Sequence, residues 1–244
     1  MTGWGGEAIS DTEPAGMNAV ELDLYGYAVA QATLPQGEIV LLQGELARLA
    51  PSVDRRGGIR SLGLKSDAIR ALAAEGPPAA LAREVLGSEA RPVKITGFDK
   101  SPKANWVVPW HQDLTIAVHE RKDVEGFGPW SLKDGILHVQ PPVEILSCML
   151  AVRVHLDDTP ADHGALRVVP GSHRLGRIAL SEIPEWRARL GEAVCPVAEG
   201  GMMLMRPLLL HASSKCRTGA HRRVLHIEYA GCDLPCGLQW AAVC

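Results

Sequence analysis

Two histidines and one carboxylate in this chain have the residue types and the spacing of a metal site. His111 and Asp113 are separated by one residue, and in a β-strand residues i and i+2 point to the same face. A histidine from a neighbouring strand, for which His211 is the candidate, would complete a set of two imidazoles and one carboxylate. Such a set, with coordination positions left open, is typical of non-haem Fe(II) oxygenases.

Arg222 adds a second chemical element to the predicted metal site. A 2-oxoglutarate co-substrate chelates iron through one carboxylate and the neighbouring keto oxygen, and its far carboxylate then needs a bidentate cation such as arginine. If His211 ends a strand, the polar turn from Ser213 to Gly219 returns the chain, and Arg222 enters the partner strand close to the same pocket. The Ser213 hydroxyl, two residues beyond His211, is expected to face the same side and to hydrogen-bond the same carboxylate.

A second His-x-Asp triplet, His155 to Asp157, is the main alternative. It runs directly into the turn-rich segment 158–162, so Asp157 and Asp158 are expected to hydrogen-bond their own turn. His173 follows Gly171 and Ser172 in a tight turn, which gives it a structural explanation as well. We therefore favour the set of His111, Asp113 and His211 over the triplet at His155.

The composition is that of an ordinary soluble globular protein, with 46% hydrophobic residues, 22% charged residues and a net charge of −3. No cluster of Lys and Arg resembles a nucleic-acid footprint, and no run approaches the ~18 apolar residues of a membrane span. The six cysteines include no Cys-x-x-Cys pair, and no signal peptide precedes them, which favours reduced thiols in a cytoplasmic protein. We expect a small-molecule substrate as partner, and neither a nucleic acid nor a membrane.

The pattern of the chain predicts one domain over residues 1–244, mainly β with N-terminal helices. Residues 1–16 are expected to form a flexible tail, and residues 17–90 a mainly helical support. From 91 to 230 short apolar runs are separated by turns rather than by crossover helices, which predicts a jelly roll or sandwich. Residues 118–137 are charged and long for a loop, and we take them as a candidate lid. The helices are predicted at 36–49, 66–74 and 78–86, and the strands at 24–30, 93–98, 106–110, 143–157, 164–169, 201–210 and 222–230.

Three motifs together resemble the phytanoyl-CoA dioxygenase family of Fe(II)/2-oxoglutarate-dependent oxygenases. They are Trp110-His111-Gln112-Asp113, the run Gly164–His173 with its Pro-Gly-Ser-His turn, and His211-Ala212-Ser213 with Arg222 eleven residues after the histidine. The resemblance covers about residues 22–230 and implies a double-stranded β-helix. It also implies that His111, Asp113 and His211 are the iron ligands, that Arg222 clamps the far carboxylate of 2-oxoglutarate, and that Ser213 assists. Lys100 resembles a basic position near the family's pocket.

The activity implied by the resemblance uses Fe(II), 2-oxoglutarate and O₂ and releases succinate and CO₂. Hydroxylation of an unactivated C–H bond in a small metabolite or natural-product intermediate is the leading interpretation, and Asp113 argues against halogenation. Trp110, Trp130 and Gln140 are candidate substrate contacts, whereas Trp106 is expected to pack in the core. Desaturation, epimerisation and cyclisation remain open, as do a cupin-like metalloprotein that does not use 2-oxoglutarate and a non-catalytic binding module. The sequence shows no convincing basic cluster for a CoA thioester and does not indicate the oligomeric state.

Overall fold

A computed structural model describes residues 18–30, 34–50, 58–101, 104–217, 219 and 221–242. The predicted tail 1–16 lies outside these ranges. The described helices are α1 (Ala19–Tyr25), α2 (Gln36–Leu49), α3 (Asp67–Glu75), α4 (Pro77–Leu86), α5 (Val143–Ser147) and α6 (Ile183–Leu190). None of these described helices is long and apolar enough to cross a membrane.

The strands form three antiparallel sheets. The major sheet has the order β1-β11-β8-β13-β3-β2, the minor sheet has the order β10-β9-β12-β4, and a small third sheet has the order β5-β7-β6. The strands of the described ranges are β1 (Tyr27–Ala30), β2 (Ile59–Arg60), β3 (Arg91–Lys100), β4 (Val108–His111), β5 (Ile116–Val118), β6 (Trp130–Lys133), β7 (Ile136–Val139), β8 (Met149–His155), β9 (Leu166–Val168), β10 (Ala193–Cys195), β11 (Met202–Met205), β12 (His211–Ser213) and β13 (Arg222–Ala230). The predicted jelly roll is confirmed.

Strand β13 lies between β3 and β8 and separates the core from an internal cavity. Alternate residues of a strand face opposite sides of the sheet. Leu225 and Ile227 therefore join the main hydrophobic core, whereas Arg222, His226 and Glu228 line the cavity. The polar face of β13 therefore forms one wall of the cavity and carries part of the candidate site.

Three N-terminal helices cover the outer face of the major sheet where the sequence predicts helices. Helix α2 buries Ile39, Leu42 and Leu46 in the same core as Leu225 and Ile227. Helix α3 begins at its predicted cap, because the Ser66 hydroxyl accepts a hydrogen bond from the Ile69 amide at 3.2 Å. These contacts hold the sheet that carries the cavity.

Four predicted elements differ from the structure, and one of them is the predicted strand 201–210, of which β11 covers only Met202–Met205. The predicted strand 24–30 begins inside α1, and the predicted strand 143–157 begins as α5, since Pro142 caps a helical turn before β8. The predicted loop 118–137 contains β6 and the first half of β7, because Asp134-Gly135 forms a tight turn with positive φ between two pairing runs. Helix α6 and strand β10 were not predicted.

Candidate active site

His111, Asp113 and His211 meet at one end of the minor sheet. Strand β12 pairs with β4 so that His211 lies directly opposite His111, and their ring centroids are 4.2 Å apart. Asp113 follows β4 in a loop held by a 2.9 Å hydrogen bond from its amide to the Pro207 carbonyl. One ligand atom from each residue lies within 4.8 Å of the others, so the three side chains could hold a metal ion. Of the predicted triplet, His111 lies in β4 and Asp113 lies in the loop that follows it, but the two side chains still converge.

Backbone carbonyls orient both imidazoles for metal binding. His111 Nδ1 lies 2.8 Å from the Pro109 carbonyl oxygen, and His211 Nδ1 lies 2.9 Å from that of Leu209. A carbonyl only accepts, so each Nδ1 carries the proton and each Nε2 keeps a free lone pair. Both Nε2 atoms lie 3.7 Å from the Asp113 carboxylate.

His226 is as close to Asp113 as the two candidate ligands are, yet its hydrogen bonds differ. Its Nε2 lies 3.7 Å from an Asp113 oxygen, but its Nδ1 lies 3.1 Å from Nη1 of Arg153. Arginine only donates, so His226 Nδ1 accepts and the proton of the neutral ring sits on Nε2. In this tautomer Nε2 has no free lone pair for a metal, which favours the set of His111 and His211.

The electrostatics suit a cation between these groups. Burial lowers the pKa of His211 to about 4, against the opposing pull of Asp113, so the ring is neutral near pH 7 as a ligand must be. Burial opposes the charged form of Asp113, yet His211, His226 and His111 lower its pKa. A neutral imidazole beside an ionised carboxylate is the donor set that Fe(II) accepts.

Gln112 anchors the loop between the two ligands of the triplet. Its side-chain amide donates to the carbonyls of Leu208 at 2.7 Å and Gly176 at 2.8 Å, and its carbonyl accepts from the Ile178 amide at 2.8 Å. Gln112 is buried. The middle residue of the triplet therefore fixes the backbone that carries His111 and Asp113, a role that sequence reasoning missed.

Arg222 lies on the facing sheet, in the same cavity. The sequence predicted that it would enter the partner strand of His211, but β13 belongs to the major sheet and pairs with β3 and β8. Arg222 is 3% exposed and donates to the Gly164 carbonyl, while its Nε has no partner among the described residues. A buried guanidinium with a free donor is the group expected where an anion binds.

Lys100 and Ser213 lie beside Arg222. Lys100 is directly opposite Arg222 across β3 and β13, and its ammonium donates to the Ser213 hydroxyl at 2.8 Å and to the Ser214 carbonyl at 2.7 Å. Ser213 lines the cavity, whereas Lys100 stands behind it. Burial, with repulsion from Arg222 and Arg153, lowers the pKa of Lys100 to about 7.

The cavity between the major and minor sheets has a volume of about 160 Å³. Beyond the metal cluster, away from Arg222, it contains an ion pair between Lys94 and Glu228 at 2.6 Å. Glu228 also lies 3.6 Å from His226 Nε2. Phe98 and Trp106 add apolar walls. Trp106 was expected in the core, but it faces the cavity, with the Lys100 ammonium 5.5 Å from its ring centroid.

The three predicted substrate contacts do not line this cavity. Trp110 packs against a small cluster around α6, with the guanidinium of Arg187 at 4.8 Å from its ring. Trp130 packs beneath the third sheet, and the backbone of Gln140 bonds to residues 128 and 129. These positions are explained by packing and by turn hydrogen bonds, so their role in substrate binding has no geometric support.

The rival triplet is structural. Asp157 accepts a 2.5 Å charged hydrogen bond from Arg223, which lies on the opposite face of β13 from Arg222. His155 is buried and bonds the Thr159 hydroxyl at 2.9 Å. Asp158 was expected to hydrogen-bond within its own turn, but it accepts a hydrogen bond from the Glu199 amide instead. None of these groups reaches the metal cluster.

The Pro-Gly-Ser-His turn supports the site without entering it. Gly171 adopts a positive φ of 78°, and the buried Ser172 hydroxyl accepts a 2.9 Å hydrogen bond from the Leu210 amide. Leu210 immediately precedes His211. The turn therefore positions the start of β12. His173 packs against Gly26 outside the cavity, which agrees with the structural role that the sequence predicts for it.

One known family matches most of the length of this chain. The profile of the phytanoyl-CoA dioxygenase (PhyH) family matches residues 22–224, most of the chain. The chain belongs to this family. Membership makes it a non-haem Fe(II)/2-oxoglutarate-dependent oxygenase, and the resemblance drawn from the motifs is confirmed. No curated protein matches the chain at a significant level.

Solved structures share the fold of this PhyH-family chain. The non-haem α-ketoglutarate-dependent carbocyclase SnoK of nogalamycin biosynthesis has a TM-score of 0.68 at 17% identity, over 94% of this chain and 88% of SnoK. The epimerase SnoN of the same pathway has 0.66 at 22%, over 87% and 81%. HygX from Streptomyces hygroscopicus, with nickel and 2-oxoglutarate bound, has 0.61 at 21%, over 86% and 84%. At these identities the likeness shows the double-stranded β-helix alone.

Proposed function

We propose that this chain hydroxylates an unactivated C–H bond of a small metabolite or natural-product intermediate, with release of succinate and CO₂. His111, Asp113 and His211 hold Fe(II), and Arg222 holds the far carboxylate of 2-oxoglutarate. The observation that carries the proposal is that a compact donor cluster and a buried arginine with a free Nε share one cavity. When bound, the iron supplies the oxidising chemistry with O₂ and 2-oxoglutarate.

The protein's own side chains bind, orient and exclude water. The carbonyl-anchored imidazoles present Nε2 without reorganisation, and Gln112 holds the Asp113 loop in place. Arg222 and Ser213 offer donors to a carboxylate, and Lys100 keeps the Ser213 hydroxyl oriented. Apolar walls limit water in the cavity, which strengthens each of these polar contacts. No residue of the predicted lid 118–137 lines the described cavity, so the lid role stays a prediction.

The end of the cavity at Lys94 and Glu228 is the one we assign to the substrate. The pair offers a donor and an acceptor 2.6 Å apart, while Arg222 occupies the other end. A cavity of about 160 Å³ favours a small molecule or one group of a larger one. Epimerisation and cyclisation stay open for the same machinery, because the structural neighbours SnoN and SnoK are an epimerase and a carbocyclase.

An anaerobic titration with Fe(II) and 2-oxoglutarate tests the proposal. We expect the visible metal-to-ligand charge-transfer band of the chelate in the unaltered protein and its loss in His211→Ala. His119→Ala, a change at an exposed histidine outside the cavity, is the matched control and should keep the band. A titration in which the unaltered protein develops no band would refute the assignment.

Arg222→Met separates the proposal from a cupin-like metalloprotein that does not use 2-oxoglutarate. We expect this variant to bind Fe(II) normally but to need at least about tenfold more 2-oxoglutarate, because a charged hydrogen bond is worth roughly 1.5–3 kcal/mol. Normal turnover in the variant without 2-oxoglutarate would favour the cupin-like alternative.

A further inference from the structure

Arg153 is a second buried arginine in the cavity, and it makes no ion pair with an acid among the described residues, although Asp113 attracts it from a longer distance. It lies on β8, is 5% exposed, and its Nε has no hydrogen-bond partner in the described part of the chain. The side-chain contact that holds it is the 3.1 Å hydrogen bond from Nη1 to the neutral His226. A buried cation is costly unless an anion accompanies it. The unpaired guanidinium therefore indicates a second place for an anion.

The position of Arg153 along the strands shows which part of the cavity it faces. Arg153 lies opposite His226 across β8 and β13, and its guanidinium lies over the ring of Phe98. Phe98 stands on β3 two residues before Lys100, which pairs with Arg222. The electrostatics agree with this placement, because Arg153 adds to the effect of burial in lowering the pKa values of Arg222 and of His211. Arg153 therefore reaches from the metal cluster toward Arg222 rather than toward the end assigned to the substrate.

The contacts of Arg153 also connect it to the metal cluster. His226 accepts from Arg153 through Nδ1 and faces Asp113 with Nε2 at 3.7 Å, so a single imidazole separates the guanidinium from a candidate ligand. The Phe98 ring lies 5.8 Å from the guanidinium carbon and covers one side of it. Arg153 is therefore held between the metal cluster and Arg222.

We propose that Arg153 binds the carboxylate of 2-oxoglutarate that adjoins the keto group, while Arg222 binds the far carboxylate. This inference rests on the proposed function, since it assumes that 2-oxoglutarate is the co-substrate. Two guanidinium groups at the two ends of one dianion leave neither buried charge unpaired. The alternative is that Arg153 binds an anionic group of the substrate, in which case 2-oxoglutarate affinity does not depend on it.

Pyruvate and 2-oxoglutarate distinguish the two arginines. Pyruvate has the carboxylate next to the keto group and lacks the far one. Both acids are titrated anaerobically into Fe(II)-loaded protein, with Arg153→Met, Arg222→Met and the exposed control Arg189→Met. We expect Arg153→Met to weaken both acids by about 10- to 100-fold, and Arg222→Met to weaken 2-oxoglutarate but leave pyruvate unchanged. The control should change neither.

Arg153→Met removes a buried charge that makes no ion pair among the described residues, but it also removes the hydrogen bond to His226, so each variant's melting temperature without 2-oxoglutarate serves as the folding control. Thermal unfolding in EDTA supplies a metal-free readout: 2-oxoglutarate should raise the melting temperature of the unaltered protein and raise it less in Arg153→Met. If the unaltered protein shows no Fe(II) chelate, the proposed function fails, and the metal-free measurement still decides the role of Arg153. Unchanged affinity for both acids in Arg153→Met, or equal stabilisation in EDTA, would overturn the inference.

Discussion

The ion pair of Lys94 and Glu228 gives the most quantitative prediction. Its atoms are 2.6 Å apart, and the two side chains are 23% and 7% exposed. Breaking a buried pair from one side costs about 3–5 kcal/mol, because it leaves an uncompensated buried charge. Since Lys94 reaches some solvent, we expect the lower end, about 3 kcal/mol, for Glu228→Met. In a chain of 244 residues this corresponds to a fall of about 6 °C or more in melting temperature.

Replacing both partners should cost less than replacing one. Lys94→Met with Glu228→Met leaves no unpaired charge, and buried pairs exchanged for apolar residues are often neutral or more stable. The four proteins are compared by urea unfolding as a double-mutant cycle. Glu185→Gln, which breaks an exposed pair with Arg189, is the matched control and should change stability by less than about 0.5 kcal/mol. A double variant whose loss equals the sum of the two single losses would refute the reasoning.

The pH dependence of the same pair follows from its two pKa shifts. Burial opposes the charged form of Glu228, but Lys94 lowers the pKa of Glu228 in the folded protein. The contribution of Glu228 to folding stability is therefore present above its unfolded pKa of about 4.3, and it is lost as pH falls through the lower pKa of the folded state. Burial opposes charged Lys94 too, but Glu228 raises its pKa, so its contribution is lost only as pH rises above about 10.4. The stability difference between unaltered protein and Glu228→Met should fall below about pH 4.3 as Glu228 is protonated. It should also fall as pH rises toward about 10.4, because burial lowers the pKa of the unpaired Lys94 in the variant and that lysine then loses its proton.

Three further predictions concern the supports of the site. Lys100 has a pKa of about 7 without ligand, so 2-oxoglutarate affinity should fall several-fold from about pH 6 to 8 in calorimetry, and this slope should vanish in Lys100→Met. Gln112→Met removes three buried hydrogen bonds, which together contribute about 3 kcal/mol to stability, and it should weaken Fe(II) binding about tenfold. Gln43→Met is the control: it removes hydrogen bonds away from the cavity and should leave Fe(II) affinity unchanged. Ser66→Ala removes the cap of α3 and should cost about 1 kcal/mol in urea unfolding with no effect on Fe(II) binding.

The sequence predicted that the side chains of the candidate metal cluster converge, and they do, because the geometry that brings them together is local. His111 and Asp113 are two residues apart, and His211 reaches them through one strand pair. Arg222 was predicted on chemical grounds, although the path to it was wrong: the chain crosses to the facing sheet instead of returning in the partner strand. A cavity between two sheets accepts an arginine from either side, so Arg222 lines the predicted pocket although the connection to it was predicted incorrectly.

The residues that the sequence missed depend on contacts between distant strands. Arg153 stands in an apolar run, where a lone cation in a buried strand was the available signal. The environment of Arg153 becomes known only from the pairing of β8 with β13, which places the neutral His226 beside it as its hydrogen-bond partner. Trp110 and Trp130 were predicted to contact substrate because aromatic residues often line pockets, yet aromatic character does not decide which face of a strand points inward. Their faces are set by packing against α6 and beneath the third sheet.

The charges in the cavity divide into three groups, and the division accounts for its ligands. Lys94 and Glu228 neutralise each other at one end. Asp113 lies beside the neutral imidazole of His211 and has a negative charge to offer a metal ion. Arg153 and Arg222 have two positive charges and no described acidic partner, which matches the two carboxylates of 2-oxoglutarate. With the metal and the dianion bound, the groups around the metal retain one positive charge, whereas Lys94 and Glu228 cancel each other at the end assigned to the substrate. At that end the substrate is expected to be recognised by polar hydrogen bonds and shape rather than by net charge.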